Sequence, residues 1–564
     1  MPSSFQSLCT LLEKIERTRK RHEIIDQTAD YLKELYIDEI EPAVNMMIGR
    51  PVARSNQNTL NVNWLTLAHV LESETQIDWN LFKKTMRTTG DIGLSTEASL
   101  EKAKANKQTQ LSKKTLTILE VKKTFDTITQ SKGSRSRIKK ERLIAALISQ
   151  STPAEAKYLV KIFTGEMRTG LQEGLMEQAV ATAFNVPLNK VQTANMILSN
   201  LGQVATILKR QGQLGIEAID FEVFRPVLPM LAQSADSIKE ALSEQGGKSA
   251  LEYKYDGARI QIHKKNNEVR LFSRRLTDLT NSLPEIVETI KENIEAKSAI
   301  LEGEVIAQDP EGFPIAFQHL MRRFKRTKNI TKMKEKIPLT LYLFDILYLK
   351  NERQIVKPYI ERRQILSQNV GNIHLTAQIV TDKPQKAEKF LEEALAAGHE
   401  GLMAKKIDSY YTPGRRGKQW LKIKPTLEPL DLVITAAEYG YGRRTGWLSD
   451  YYLAARDTET GEFLIVGKMF KGLTDTEIID LTKQLNSLMV AKEGHKVIVI
   501  PKIVVEVAYN EIQLSPKYRS KMALRFARIT RIRDDKSAED ADTITRVKEI
   551  YERQFRIKGK YKVS

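Results

Sequence analysis

The 564-residue sequence holds a single cysteine, Cys9. One thiol cannot close an internal disulfide framework or build a multi-cysteine zinc ribbon, so a reducing compartment is expected. Long apolar runs are missing too. The longest, around Leu339 to Leu349, is interrupted by Asp345 and falls short of the roughly 18 apolar residues a membrane span needs. The amino terminus carries Glu13, Lys14, Glu16 and Arg17 and lacks the apolar core of a signal peptide. Negative charge is in deficit, with 70 Asp+Glu against 89 Lys+Arg and a net charge of +19. These absences predict a soluble intracellular protein without a membrane partner. The charge favours a polyanionic partner, the plain alternative being a basic surface that only aids solubility. What is present is ordinary globular composition, 41% hydrophobic and 28% charged, in a chain long enough for about three domains.

From Phe5 to about Ile219 apolar residues recur at helical spacing, as in Phe5, Leu8, Leu12 and Ile15, which predicts an all-helical third. Within it, Lys102 to Arg142 holds thirteen basic residues against Glu120, Asp126 and Glu141. Such a run is either a solvated helical face or a contact for nucleic-acid phosphates, and the turn Ser131-Lys132-Gly133-Ser134-Arg135 supplies flexible donors for the second. Arg225-Pro226-Val227-Leu228-Pro229 breaks the helical pattern. Beyond it Leu251 to His263 and Glu268 to Arg274 read as a hairpin around Asn266-Asn267. A second break falls at Pro425 to Pro429. After it Leu432 to Ile434, Tyr451 to Leu453, Phe463 to Val466, Val497 to Ile500 and Ile503 to Val507 are five short strand-like runs, about the number a small barrel needs. The expected division is 1–222, 223–425 and 426–564.

The sharpest chemical feature is Lys254-Tyr255-Asp256-Gly257-Ala258-Arg259. A lysine attacks phosphorus only as the neutral amine, so this reading requires a site that lowers the pKa of Lys254 from about 10.4. Arg259 is suited to that task and to gripping a phosphate, and Gly257 to a tight turn beside a nucleotide. The alternative is an edge lysine paired with Asp256 in an exposed turn. The segment resembles the first motif of the covalent nucleotidyltransferase superfamily. Six further segments follow in the superfamily's order: Ser273-Arg274, Leu301-Glu302-Gly303-Glu304-Val305-Ile306, Leu341-Tyr342-Leu343-Phe344-Asp345, Glu400-Gly401-Leu402-Met403-Ala404-Lys405, Trp420-Leu421-Lys422-Ile423-Lys424 and Arg531-Ile532-Arg533-Asp534-Asp535-Lys536. The Glu-Gly-Leu-Met and Arg-Ile-Arg-Asp-Asp-Lys runs are most similar to ATP-dependent DNA ligases of the archaeal and eukaryotic replicative type. In the helical third, Glu41-Pro42-Ala43-Val44 with Gly49-Arg50, and Gly90-Asp91-Ile92-Gly93, resemble that family's DNA-binding domain.

The resemblance implies an all-helical DNA-binding domain, an α+β adenylation domain and an OB-fold barrel, which seal nicked double-stranded DNA with ATP and Mg²⁺. It implies Lys254 as the residue that carries AMP, with Arg259, Lys422 and Lys424 acting beside it. Nucleotide contacts are implied for Glu252, Arg259, Arg274, Glu304, Phe344, Arg416 and Lys422. Arg531, Arg533, Asp535 and Lys536 would close over ATP from the barrel, and Glu304 with Glu400 would hold the metal. Glu252 reads equally as a structural strand glutamate, Phe344 as core packing among its apolar neighbours, and Arg416 as a DNA-backbone contact. The barrel is expected to swing about Pro425 to Pro429, and Gly440-Tyr441-Gly442-Arg443-Arg444 to touch DNA. A monomer is the family-like state. A sliding clamp stays open as a further partner, no clamp-binding peptide being found. RNA ligases, capping enzymes and a non-enzymatic DNA-binding scaffold share parts of this pattern, whereas the four-cysteine module typical of NAD⁺-dependent ligases cannot be built from Cys9.

Overall fold

The computed structural model describes residues 2–54, 56–57, 60–75, 77–105, 115–133, 135–309, 312–315, 317–324, 330–412, 416–424, 427–441 and 444–555. Twelve helices lie between Phe5 and Glu217 among the described residues, as the helical spacing predicts. In the first, Phe5–Arg17, the residues Phe5, Leu8, Leu12 and Ile15 share one face and are buried, and the Ser4 hydroxyl accepts the Ser7 amide at the amino end. Thr117 with Glu120, and Thr152 with Glu155, form capping boxes that start helices Ile118–Gln130 and Pro153–Thr164. The helices share one core that includes Leu12, Leu32, Val44, Phe125 and Leu159. Lys157 and Lys161 are buried beside it, paired with Glu16 at 3.0 and 2.7 Å. Lys161 also reaches Asp91 at 2.9 Å, which pins the Gly90-Asp91-Ile92-Gly93 turn to helix Pro153–Thr164.

The basic run divides by role. Lys132, Arg135 and Lys139 are exposed, Lys122 pairs with Asp126, and Arg137 with Glu141. Lys140 is buried, donates to the Leu60 carbonyl at 2.6 Å, and has its pKa lowered by that burial. Lys107, Lys113, Lys114 and Ser134 lie outside the described residues, as do Arg415, Pro425, Gly442 and Arg443.

The central region holds two sheets. One orders Leu231–Ala235, Arg416–Ile423, Leu402–Lys406, Ser249–Tyr253 and Gln378–Thr381. The other runs Glu268–Ser273, Ala258–Lys265, Ser298–Ala307, Leu339–Leu349 and Glu352–Arg353, with His374–Leu375 parallel to Leu339–Leu349. The expected hairpin exists as Ala258–Lys265 with Glu268–Ser273, its register placing Lys265 opposite Glu268. Leu251 to His263 is not one strand, however. The chain leaves the first sheet after Tyr253 and enters the second at Ala258, because residues 254–257 cross between them. Gly257 is needed in that crossing: a Cβ there would come within 2.5 Å of the Val305 carbonyl.

Each sheet covers its outer face with helices. Leu251, Leu402, Ala404 and Leu421 pack on Ile238–Glu244 and Pro384–Ala396. Ile262, Leu301, Val305 and Leu343 pack on Pro284–Asn293, Phe317–Phe324 and Tyr359–Asn369. The inner faces meet around Phe344, Tyr411 and Trp420. Asp345 and Arg362, both without exposed surface, join strand Leu339–Leu349 to helix Tyr359–Asn369 by two bonds of 2.8 and 2.9 Å.

The five strand-like runs of the last region lie in strands Leu430–Tyr439, Leu448–Arg456, Phe463–Met469, Lys496–Val499 and Val504–Ala508, joined with Met489–Glu493 and Arg528–Ile532 in a seven-stranded sheet. Their inward residues, among them Leu432, Leu453, Val466, Val497 and Val505, form a separate core. The barrel also touches the helical third, where the Thr445 hydroxyl donates to the Thr88 carbonyl and Tyr441 lies against Gly90.

Candidate active site

The site sits where residues 254–257 cross between the sheets. The Lys254 amide donates to the Gly401 carbonyl at 2.8 Å and the Glu400 amide to the Lys254 carbonyl at 2.9 Å, so backbone bonds bind two distant motifs together. Gly401 is required at this junction. Its φ is +140°, and a Cβ would run into the Ile423 carbonyl. The Lys254 ammonium pairs with the Glu400 carboxylate, and Lys424 reaches the same oxygen at 2.7 Å. Lys422 stands two positions before Lys424, opposite Met403 in the sheet register, and so shares its side of the strand.

The electrostatics depart from one expectation. Burial alone would lower the Lys254 pKa, but the Glu400 carboxylate against it, with Glu304 and Asp256 nearby, outweighs burial and holds it above that of ordinary lysine. The resting form is therefore the ammonium. Glu400 is held well below the usual carboxylate range because Lys254 and Lys424 overcome its burial. Glu304 goes the other way: burial, added to by Glu400 and Asp256, outweighs the help of Lys254 and Arg259 and raises it to about 7. Glu304 and Glu400, their pKa values pushed apart, both act on Lys254 and bring carboxylate oxygens to one place. A divalent cation that takes one or two carboxylates and completes its shell with water and phosphate oxygens fits such a pair. Among the described residues no group of three or more His, Cys, Asp or Glu could cage a metal alone.

Arg259 is placed differently from a free phosphate grip. It donates to the Glu302 carboxylate at 2.6 Å, the Met230 carbonyl at 2.7 Å and the Tyr411 hydroxyl at 3.1 Å, with its guanidinium 5.2 Å from the Phe344 ring. Phe344 is buried, edge-on to Trp420, with the Lys405 ammonium 4.6 Å from its ring. Glu252 is also buried. It pairs with Lys405 at 2.7 Å, accepts from Gln378 at 3.1 Å, and takes the Tyr359 hydroxyl. Both are held in place by these partners, and the bonds of Glu252 are those of a structural strand glutamate.

Other residues stand apart from this cluster. Arg274 is exposed in the turn after strand Glu268–Ser273. Arg416 opens strand Arg416–Ile423, and its side chain lies outside the described residues. The barrel segment is held within the barrel: Arg533 pairs with Asp431 at 3.1 Å and Asp535 at 2.7 Å, and Lys536 with Asp431 at 2.6 Å. Arg531 is exposed on strand Arg528–Ile532, opposite Glu506.

Sequence reasoning assigned nothing to Lys405, Glu302 or Tyr411, which turn out to anchor Glu252 and Arg259. Lys405 carried a signal, since it follows Met403 by two and so shares that strand face. Tyr411 carried none, because a loop residue has no periodicity to place it.

Comparison with known proteins follows the same three-part division. Family models match residues 4–215 as "DNA ligase N terminus", 229–424 as "ATP dependent DNA ligase domain" and 444–536 as "ATP dependent DNA ligase C terminal region". "DNA ligase 1" of Korarchaeum cryptofilum is 45% identical over 552 residues, 98% of this chain and 99% of that relative. The "DNA ligase" of Thermococcus onnurineus is 42% identical over 559 residues, 99% of each chain. A solved structure titled "Pmar-Lig_PreS3" matches 93% of this chain and 99% of its own at a TM-score of 0.58 and 17% identity, a likeness of fold.

Proposed function

The chain belongs to the ATP-dependent DNA ligases, and from that premise we propose that it seals nicks in duplex DNA by way of AMP carried on Lys254. The observation that carries the residue assignment is the Lys254–Glu400–Lys424 cluster, held by reciprocal backbone bonds at the crossing between the sheets. The Lys254 nitrogen attacks the α-phosphorus of ATP, an N–P bond forms, the bond to the bridging oxygen breaks, and pyrophosphate leaves. The 5′-phosphate at the nick then takes AMP from the lysine. Finally the 3′-hydroxyl attacks the phosphorus of the nick's 5′-phosphate, loses its proton and displaces AMP. Attack in the first step needs the neutral amine, so the hold of Glu400 on Lys254 must relax as nucleotide enters. Lys424, already on the same carboxylate, is the group placed to compete for it, and Lys422 and Lys424 then face the charge that develops on the phosphate.

Glu304 and Glu400 are the residues that would hold Mg²⁺, which supplies positive charge for the phosphate oxygens. Glu252 and Phe344 line the base side, and Arg274, exposed and apart from the Lys254 cluster, serves the nicked strand of its two expected contacts. Arg416 joins the nucleotide contacts. Arg531, Arg533, Asp535 and Lys536 act when the barrel turns toward ATP and the bonds of Arg533 and Lys536 to Asp431 are exchanged. We take 1–222, 223–425 and 426–564 as the DNA-binding, adenylation and OB-fold domains, in a monomer working inside the cell where its DNA substrate lies. Replication, repair and recombination all leave such nicks.

The test is incubation with α-labelled ATP and Mg²⁺, comparing wild type with Lys254→Ala. Label is expected on wild type only. Label on the alanine variant, or none on wild type, would overturn the assignment.

A further inference from the structure

One side chain of the helical third grips the backbone of the central domain at a point distant in sequence from the connection that joins them, though Leu276 there shares a buried cluster with Phe221, Val227 and Leu228 of that connection. Gln57 lies between helices Ile37–Met47 and Trp64–Thr75. Its Nε2 donates to the Leu276 carbonyl at 2.8 Å, and its Oε1 accepts the Asp278 amide at 2.9 Å. A carboxamide that takes the C=O and N–H on either side of one residue imitates the paired bonds of neighbouring strands, and so sets both the position and the rotation of the backbone it grips.

What it grips is the turn that carries Arg274. Within that turn, short-range bonds run from the Leu276 amide to the Ser273 carbonyl and from the Ser273 amide to the Thr277 carbonyl, both 2.8 Å, with the Arg275 and Thr277 amides on the Ser273 hydroxyl. Leu276 stands in the left-handed region at φ +65°, which is unfavourable for a side chain branched beyond Cβ and persists only where the surroundings impose it. Its side chain is buried, so it cannot relieve the strain by swinging outward. The bonds near the connection have a different role. Ser199 on the Pro226 carbonyl, the Leu228 amide on the Met196 carbonyl and Arg225 on the Leu198 carbonyl secure the linker itself.

We infer that Gln57 is a positioning residue through which the DNA-binding domain sets the Arg274 turn for the DNA-dependent steps of sealing. This rests on the ligase reading, and it separates the steps. Lysyl-AMP formation needs no DNA and does not call on the helical third, whereas transfer of AMP to the nick and closure of the strand require both domains on one duplex.

The experiment uses the full chain in single-turnover assays with wild type, Gln57→Ala and Gln57→Glu. One assay follows lysyl-AMP formation from labelled ATP, and the other follows closure of a nick whose 5′-phosphate already carries AMP, at saturating DNA. For the alanine variant, closure is expected to slow about tenfold while lysyl-AMP formation stays within about twofold of wild type, the size expected for two lost hydrogen bonds that position a reacting group. The glutamate variant keeps the acceptor for Asp278 but sets a carboxylate oxygen against the Leu276 carbonyl, so closure is expected to slow at least as much as in the alanine variant. Equal slowing of both steps marks Gln57 as merely structural and overturns the inference, as does unchanged closure in the alanine variant. If wild type closes no nick at all, both the inference and the ligase reading fall, and that outcome is recognised by the control.

Discussion

Glu400 carries two lysines on one carboxylate oxygen, and this sharing decides how Lys254 becomes reactive. With Lys424 present, Glu400 has a second cation to keep when Lys254 gives up its proton. We therefore expect Lys424→Met to slow lysyl-AMP formation at neutral pH by about a hundredfold, the range for removing one fixed charge from a developing phosphate transition state. The loss should shrink as pH rises, because higher pH supplies the neutral amine that Lys424 otherwise helps to release. A pH series of single-turnover adenylation checks both parts, and a pH-independent loss would mean that Lys424 acts on the phosphate alone. Lys254 as a candidate was legible in the sequence, since Lys-x-Asp-Gly-x-Arg with the motifs after it resembles the nucleotidyltransferase pattern. Its resting charge was not. That depends on Glu400, 146 positions away by the numbering, which no local pattern connects to it.

At the scale of elements, strand Ala258–Lys265 joins the site to the connection between domains through two inward side chains. The His263 Nδ1 accepts the Phe224 amide at 3.0 Å, its Nε2 meets the Gln261 Oε1 at 2.9 Å, and that same oxygen accepts the Val227 amide at 2.8 Å. Burial, helped by Arg270, lowers the His263 pKa to about 3, so the ring is neutral in the fold. An unfolded chain protonates it near 6.5. Its contribution to stability is therefore complete above about pH 6.5 and is lost as pH falls toward 3, at a slope approaching 1.4 kcal/mol per pH unit. In urea unfolding between pH 7 and 5, the stability difference between wild type and His263→Gln should carry that slope, because other titrating groups such as Glu304 cancel in the difference. Parallel curves would contradict it. The hairpin around Asn266-Asn267 and the strands of the barrel were readable because alternation of apolar and polar residues is a local signal. The break at residues 254–257 was not, since two strands of different sheets read as one apolar run when nothing in the sequence says which partner each will meet.

For the whole molecule, the net charge of +19 meets the geometry of three regions, with the barrel touching the helical third at Thr88 and Gly90. Lys132, Arg135 and Lys139 are among the exposed members of the basic run, open to phosphates, whereas Lys140 is committed to the Leu60 carbonyl. Affinity for nicked duplex should fall linearly in log–log form with salt. Neutralising Lys132, Arg135 and Lys139 together should lower that slope by roughly 0.9 for each phosphate they no longer neutralise, whereas replacing Lys140 with Met should leave it unchanged. Fluorescence anisotropy over a salt series measures this, and equal effects from the buried and exposed lysines would refute the division. The amino-acid sequence by itself determined the helical third, the barrel strands and the order of the motifs. Each of these rests on residue type or on periods of 2 and 3.6 residues, which are properties of neighbours along the chain. Only the tertiary structure decided that Lys254 rests as an ion pair, that Arg259 and Glu252 are anchored by Glu302, Tyr411 and Lys405, that the barrel arginine Arg533 is held by Asp431, and that Gln57 supports the Arg274 turn. These are meetings of groups distant in sequence, and burial with charge pairing acts through space.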